Sequence, residues 1–257
     1  MITSDALATR IRAILETDRV WSAYALADLE PEEAERCIWA CNDAAVALLY
    51  RGLEPQVLFL HGDPAGCARL TASLPAGLVQ FTLQAAHQAA LGSRLELRHG
   101  VMMWRMGLEP AAFRSRVDVP VTRLGPADLP VMLQLFGEHP DQPDAFHPRQ
   151  LDAGVFFGVV EGKHLVSVAG THIVAPRPGI AAVGNVFTHP DWRGRGLAAC
   201  ATSAVVAELL ASGANNVVLN VAQENTPAVR CYEWLGFHRH CAYLEGTGIL
   251  KETARQG

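Results

Sequence analysis

The stretch HPDWRGRGLA at residues 189–198 places two arginines and two glycines within ten positions of a mildly acidic chain. Upstream, residues 179–189 (GIAAVGNVFTH) form a short apolar run typical of a buried strand, which Pro190 ends. Downstream, residues 197–212 are rich in alanine and leucine and stop before Gly213, as expected of a helix with a glycine beyond its C-terminus. The stretch therefore joins a strand to the start of a helix.

A loop of this composition at a helix N-terminus is suited to binding an anion. The first helical N–H groups lack partners and the helix dipole is positive there. Glycines let the backbone approach a phosphate, and Arg193 and Arg195 add charge-assisted donors. The spacing fits neither GxxxxGK[ST] nor GxGxxG, which leaves RxxGxA, from Arg193 through Gly196 to Ala198. The alternative is a surface turn with solubilising arginines.

A second pattern follows the helix. Residues 217–221 (VVLNV) predict a strand, and residues 225–237 (NTPAVRCYEWLGF) predict a helix. Asn225 suits the N-cap, Pro227 suits the first turn, and Gly236 ends the helix. Asn225 and Tyr232 lie about two turns apart and therefore project to similar sides.

Taken together, the strand, the RxxGxA loop, the helix, the next strand and N-x-x-A-x-x-x-Y-x-x-x-G-F resemble the GNAT superfamily of coenzyme-A-dependent acyltransferases. The resemblance covers roughly residues 117–250. Within the superfamily, residues 184–198 (GNVFTHPDWRGRGLA) are most similar to the glycine N-acyltransferase-like branch.

The resemblance implies a binding site for acetyl-CoA. Its pyrophosphate would lie on the loop formed by Arg193, Gly194, Arg195, Gly196, Leu197 and Ala198. The strand ending at Thr188 would splay from the strand at 217–221, and the pantetheine arm would enter there. That arm would bond the backbone of Val186, Phe187 and Thr188 and the side chain of Asn225.

The resemblance also implies that the phenol of Tyr232 lies near the sulfur. A phenol there suits a general acid that protonates the departing thiolate. The structural alternative for Tyr232 is a core aromatic on an amphipathic helix.

The general base is not identified. Many GNAT enzymes carry a glutamate where this chain has Ala182, and residues 180–190 contain no Asp or Glu. The candidates are His172, Glu224 and a water chain through Asn185. An acceptor amine that arrives neutral needs no strong base.

Residues 1–115 repeat the order of the second half. A helix near 4–17 precedes apolar strands at 37–42, 45–50 and 56–62, then a helix near 64–73, a strand at 78–83, a helix near 84–92 and a strand pair within 95–106. Residues 60–70 (LHGDPAGCARL) occupy the position of the loop without its arginine pair. We therefore expect an α/β (mixed α+β) protein of two GNAT-like halves, 1–115 and 116–257, each a mixed central sheet flanked by helices. The first half is expected to be degenerate, which gives one cofactor per chain.

The proline-rich segment 137–151 (GEHPDQPDAFHPRQL) is expected to line the acceptor site or to be a solvated connector. In the first case Asp141 and Asp144 attract a cationic amine and Phe146 covers its apolar part. His139 and His147 lack a third ligand, so no metal is predicted.

Composition limits the remaining classes of function. A net charge of −5 argues against nucleic acid as a partner, and no run approaches the ~18 to 20 apolar residues of a membrane span. Six cysteines without a CxxC pair, and no export signal, predict reduced thiols in the cytoplasm.

The leading hypothesis is transfer of an acetyl or short acyl group from acyl-CoA to a primary amine of a small molecule, with amino acids among the candidates. The alternative is a non-catalytic CoA-binding sensor or interaction protein. The pattern assigns neither the acceptor nor the oligomeric state.

Overall fold

The computed structural model describes residues 5–137, 139–143 and 145–252 as a mixed α/β protein. The α-helices in these residues are α1 (Asp5–Leu15), α2 (Ala23–Ala27), α3 (Pro64–Leu70), α4 (Ala85–Leu91), α5 (Leu129–Phe136), α6 (Gln150–Ala153), α7 (Leu197–Ala211) and α8 (Thr226–Trp234). The strands are β1 (Cys37–Cys41), β2 (Ala45–Tyr50), β3 (Gln56–Gly62), β4 (Gly77–Leu83), β5 (Leu95–Leu108), β6 (Thr122–Leu124), β7 (Phe156–Glu161), β8 (His164–Ala175), β9 (Ile180–Thr188), β10 (Asn216–Ala222) and β11 (His238–Leu250).

The chain divides into two compact units. The first contains the residues up to Arg105 and those from Cys241 onward, and the second contains Met106–His240. The chain leaves the first unit after Arg105, about ten residues before the boundary predicted between residues 115 and 116. It returns to the first unit after His240, whereas the prediction assigned all of β11 to the second half. From Leu244 to Leu250, β11 pairs antiparallel with β4, so hydrogen bonding ties it to the first unit.

The strands of the first unit follow the order β1-β2-β3-β4-β11-β5. The strands predicted at 37–42, 45–50, 56–62 and 78–83 are confirmed as β1 to β4. The predicted strand pair within 95–106 is wrong, because β5 is one continuous strand. Gly100 does not make a turn there. A Cβ on Gly100 would lie 2.9 Å from Leu244 Cδ1, so the glycine makes room for a side chain of β11.

The strands of the second unit follow the order β10-β9-β8-β7-β6. The predicted strand–loop–helix–strand–helix order is confirmed as β9, α7, β10 and α8. Helix α7 packs against β7, β8 and β9, and α5 packs against β8. One apolar cluster of this unit contains Leu124, Met132, Leu135, Phe136, Leu151, Phe156, Val168 and Phe187.

Each unit contains two parallel strands joined through a helix. In the first, β3 and β4 pair in parallel from Gln56–Val79 to Phe59–Thr82, with α3 between them in the chain. In the second, β9 and β10 pair in parallel from Ile180–Asn216 to Val183–Leu219, with α7 between them. Antiparallel strands complete both sets. The mixed α/β class is therefore confirmed, whereas degeneracy of the first half stays a prediction.

Candidate functional site

Strands β9 and β10 part where the predicted site begins. Their parallel pairing ends at Val183 and Leu219, although β9 continues to Thr188 and β10 to Ala222. Asn185, two residues beyond the last pair, has a φ of +52°, in the left-handed region that is uncommon for residues other than glycine. The backbone of β9 therefore bends at Asn185, just beyond the point where its pairing with β10 ends.

The side chain of Asn185 is tied to the segment that precedes β7. It is 4% exposed, and its Nδ2 donates to Gln150 Oε1 at 3.0 Å and to the Thr171 carbonyl at 3.3 Å. Gln150 Oε1 also accepts from the backbone N–H of His147 at 3.0 Å. Asn185 Oδ1 is buried without a partner among the described atoms. An ordered water commonly satisfies such an oxygen, so the predicted water chain through Asn185 remains open.

Two glycines shape the loop before α7. Gly194 and Gly196 have φ values of +76° and +77°, which glycine adopts without the penalty paid by other residues. A Cβ on Gly194 would meet nothing within 4 Å, whereas a Cβ on Gly196 would lie 2.7 Å from Arg116 Nη2. Gly194 thus leaves open space, and Gly196 makes room for a guanidinium that the sequence interpretation did not place here.

The start of α7 offers backbone donors. Gly196 is the N-cap and supplies no side-chain cap, and the N–H of Cys200 makes the first helical bond, to the Gly196 carbonyl at 3.1 Å. The N–H groups of Leu197 and Ala198 precede that bond and lack intrahelical acceptors. In the first unit, Asp63 caps α3 by accepting from the Gly66 N–H at 2.7 Å. A carboxylate therefore lies where the equivalent anion would bind.

The two loop arginines make different contacts. Arg193 donates from Nε to the Thr188 carbonyl at 3.0 Å, pairs with Asp141 and lies over the Phe187 ring at 5.6 Å. Arg195 donates to the Asp191 carbonyl at 3.3 Å, and its guanidinium lies 4.5 Å from the centre of the Trp192 ring. Arg193 therefore contacts the proline-rich segment 137–151, where Asp141 forms an ion pair with its guanidinium.

Arg116 is the residue of this site that sequence reasoning missed. Its backbone N–H donates to Ser203 Oγ in α7 at 2.7 Å, and its guanidinium lies 5.3 Å from the Trp234 ring of α8. Its Nε donates to Asp118 at 2.6 Å. The contact with Gly196 joins distant parts of the chain, and no local pattern indicates it.

Two predicted residues belong to α8 and its N-terminal cap. Asn225 is confirmed as the N-cap, since its Oδ1 accepts from the Ala228 N–H at 3.2 Å, and the residue is exposed. Tyr232 is 7% exposed, and its ring centre lies 6.1 Å from that of Phe237. Burial, with a smaller contribution from Cys231, raises the pKa of the Tyr232 phenol. The phenol therefore keeps its proton at neutral and mildly alkaline pH.

The candidate bases lie in different places. Ala182 is buried in β9. The imidazole of His172 packs against Gly184, at the bulge of β8 between Thr171 and Ile173. Glu224 is exposed in the turn before Asn225. His172 is thus the ionisable candidate found beside the opening of β9, and the base stays unassigned.

One side chain of the proline-rich segment 137–151, Phe146, packs against core aromatic residues. The Phe146 ring lies 5.2 Å from Phe136 and 6.2 Å from Phe156, which favours a site wall over a fully solvated connector. The His139 ring lies 5.6 Å from the ring of Phe187. Asp144, the other predicted carboxylate, lies outside the described residues.

Two kinds of feature are absent from the described residues. No group of three or more His, Cys, Asp or Glu side chains in them has an arrangement that would hold a metal ion. None of the described helices is long and apolar enough to span a bilayer.

Residues 129–237 match the family described as Acetyltransferase (GNAT) family. The chain is similar to the mycothiol acetyltransferase of Geodermatophilus obscurus, with 30% identity over 204 residues that cover 74% of this chain and 62% of that protein. It is also similar to the mycothiol acetyltransferase of Thermobispora bispora, with 30% identity over 208 residues that cover 75% and 65%. The chain thus spans slightly less than two thirds of the length of both relatives.

The fold is similar to that of a tandem GNAT protein from the clavulanic acid biosynthesis pathway. The TM-score is 0.60, the identity is 14%, and the match covers 98% of this chain and 97% of that one. At this identity the likeness concerns the fold alone. None of these matches bears on the glycine N-acyltransferase-like branch, which stays a prediction.

Proposed function

We propose that this chain, whose residues 129–237 match the GNAT family of acetyltransferases, moves an acetyl group from acetyl-CoA to a primary amine of a small molecule. One observation carries the proposal. The parallel strands β9 and β10 part beyond Val183 and Leu219, and the chain then enters a helix whose N-cap is a glycine without a capping side chain. A strand opening next to unpaired helix N–H groups suits a long ligand with an anionic end.

The residues of the loop fit a diphosphate. Gly194 faces open space, and the N–H groups at the start of α7 point to one region. Arg195 supplies a cation whose guanidinium is stacked on Trp192. The pantetheine arm would follow β9 along Val186, Phe187 and Thr188, and Asn225, with its Oδ1 used in the cap, would donate from Nδ2.

Tyr232 would supply the proton for the leaving group. Its phenol is buried, and its raised pKa keeps the proton on the oxygen before the reaction. A thiolate expelled in the same buried place has a raised pKa for the same reason, as the Cys231 thiol does, whose pKa burial raises to about 11. Burial raises the pKa of both groups and so does not by itself drive the transfer; the phenol would donate a hydrogen bond to the departing thiolate and pass its proton to sulfur as the C–S bond breaks.

The acceptor side has no carboxylate at position 182, so we propose that the amine reacts in its neutral form. Asp141 already pairs with Arg193, which reduces its attraction for a cationic substrate. The two relatives named mycothiol acetyltransferase make a mycothiol-related acceptor one to test beside amino acids, polyamines and aminoglycosides.

The test is release of the CoA thiol from acetyl-CoA in the presence of these acceptors, measured for the parent, Tyr232→Phe and Tyr50→Phe. We expect Tyr232→Phe to lower kcat by about 10² to 10⁴ while the Kd for acetyl-CoA stays nearly the same, because only the acidic proton is lost. Tyr50 bonds Glu33 in the first unit, so Tyr50→Phe is the matched control and should keep full turnover.

Two outcomes would contradict the proposal. Tight binding of acetyl-CoA without turnover for any acceptor would favour the non-catalytic sensor. Equal kcat in the parent and in Tyr232→Phe would remove Tyr232 from the mechanism.

A further inference from the structure

We propose that Arg116 binds a phosphate on the nucleotide end of CoA, namely the 3′-phosphate of the adenosine. This inference rests on the proposed function and adds a specificity-determining residue to its CoA site. Arg116 lies in the segment 109–120, which contains the predicted boundary between residues 115 and 116, and no residue of that segment was predicted to bind.

The position of Arg116 is set by two helices. Its backbone N–H bonds Ser203 in α7, and its guanidinium stacks on Trp234 of α8, a side chain that is 47% exposed. Nη2 lies 2.7 Å from the Cβ position of Gly196, the N-cap of α7. The Arg116 guanidinium therefore lies between the N-terminus of α7 and Trp234 of α8.

The guanidinium has donors to spare for a ligand. It carries five N–H groups in a planar fork that matches phosphate geometry. Its ion pair with Asp118 uses Nε, which donates to the carboxylate at 2.6 Å. Asp118 is 59% exposed and Arg116 is 31% exposed, so this pair is weak, and a phosphate can compete with it.

CoA offers phosphate in two places, the pyrophosphate and the 3′-phosphate. The backbone N–H groups at the start of α7, with Arg195 on the loop side, are the donors assigned to the pyrophosphate. Arg116 lies beside Gly196 with its guanidinium over Trp234 of α8, whereas Arg195 lies over Trp192 of the loop. The 3′-phosphate would therefore give Arg116 a ligand group of its own, separate from the pyrophosphate that Arg195 binds.

The test compares two ligands that differ by that group. Calorimetric titration with CoA and with 3′-dephospho-CoA is carried out on the parent, Arg116→Gln and Arg114→Gln. Arg114 is an exposed arginine of the same segment and serves as the control. We expect Arg116→Gln to weaken CoA binding about tenfold or more and to leave 3′-dephospho-CoA binding within about twofold, since a charge-assisted contact is lost only with the former.

A second variant should act in the opposite direction. Asp118→Asn removes a carboxylate that competes for Arg116, so CoA should bind about two- to fivefold more tightly, and less so at high salt. Arg116→Lys keeps the charge without the fork and should fall between the parent and Arg116→Gln. It also provides a folded comparison should the glutamine variant fail to fold.

The outcomes are distinct. Equal weakening of both ligands in Arg116→Gln would overturn the assignment to the 3′-phosphate and place Arg116 on the pyrophosphate. Unchanged binding of both ligands would overturn a phosphate role altogether. A parent protein that binds neither ligand would contradict the proposed function itself.

Discussion

Replacing Gly194 or Gly196 with alanine should separate backbone strain from local crowding. Both residues have nearly the same φ, +76° and +77°, so each alanine should cost about 1 to 2 kcal/mol of unfolding free energy. Only at Gly196 does the new methyl group meet a neighbour, Arg116 Nη2 at 2.7 Å.

Ordinary contact begins at 3.4 Å, so the guanidinium must move by about 0.7 Å (3.4 − 2.7). This group is the end of a flexible side chain and can move at little cost. Its cation–π contact with Trp234 is worth about 0.5 to 1 kcal/mol at an exposed site and is only partly lost. The stabilities of the two variants should therefore differ by less than about 1 kcal/mol.

Thermal unfolding followed by circular dichroism is the assay. A loss of 1 to 2 kcal/mol corresponds to a fall in Tm of roughly 2 to 8 °C for a chain of this size. Gly125→Ala is the matched control, because Gly125 has an extended φ of −142° and nothing within 4 Å of its Cβ position. Its Tm should be unchanged or slightly higher. An unchanged Tm in both loop variants would refute the strain argument, and a far larger loss in Gly196→Ala would refute the easy displacement of Arg116.

Two further predictions concern the first unit. Native mass spectrometry should show one CoA per chain, since the Asp63 carboxylate occupies the start of α3; two bound molecules would contradict this. Burial lowers the pKa of His87, which is 3% exposed, so the unfolded chain gains the proton first and stability falls as the pH drops below about 6.5. His87→Gln should lose less Tm between pH 7.5 and 5.5 than the parent, and equal losses would assign the pH dependence to other groups.

The local parts of the site could be predicted because their causes are local. Proline ends β9, glycines supply the left-handed positions of the loop, and Asn225 caps its own helix, so each signal lies within a few residues of its effect. The path of β11 and the contact of Arg116 with Gly196 depend on residues far apart in sequence. Gly100 is an example: from sequence, a glycine within an apolar run predicts a turn, but here it makes room for the distant side chain of Leu244.

β11 is made after nearly all of the second unit, yet it pairs with β4 of the first. On the ribosome, the facing edges of β4 and β5 stay without their shared neighbour until residues 244–250 have emerged. Residues 106–240 are complete before that, so the later unit can finish its own sheet earlier, the reverse of the usual N-terminal-first order. An unpaired edge is a template for strands of other chains, so a chain whose residues 244–250 have not yet paired exposes the edges of β4 and β5 to aggregation.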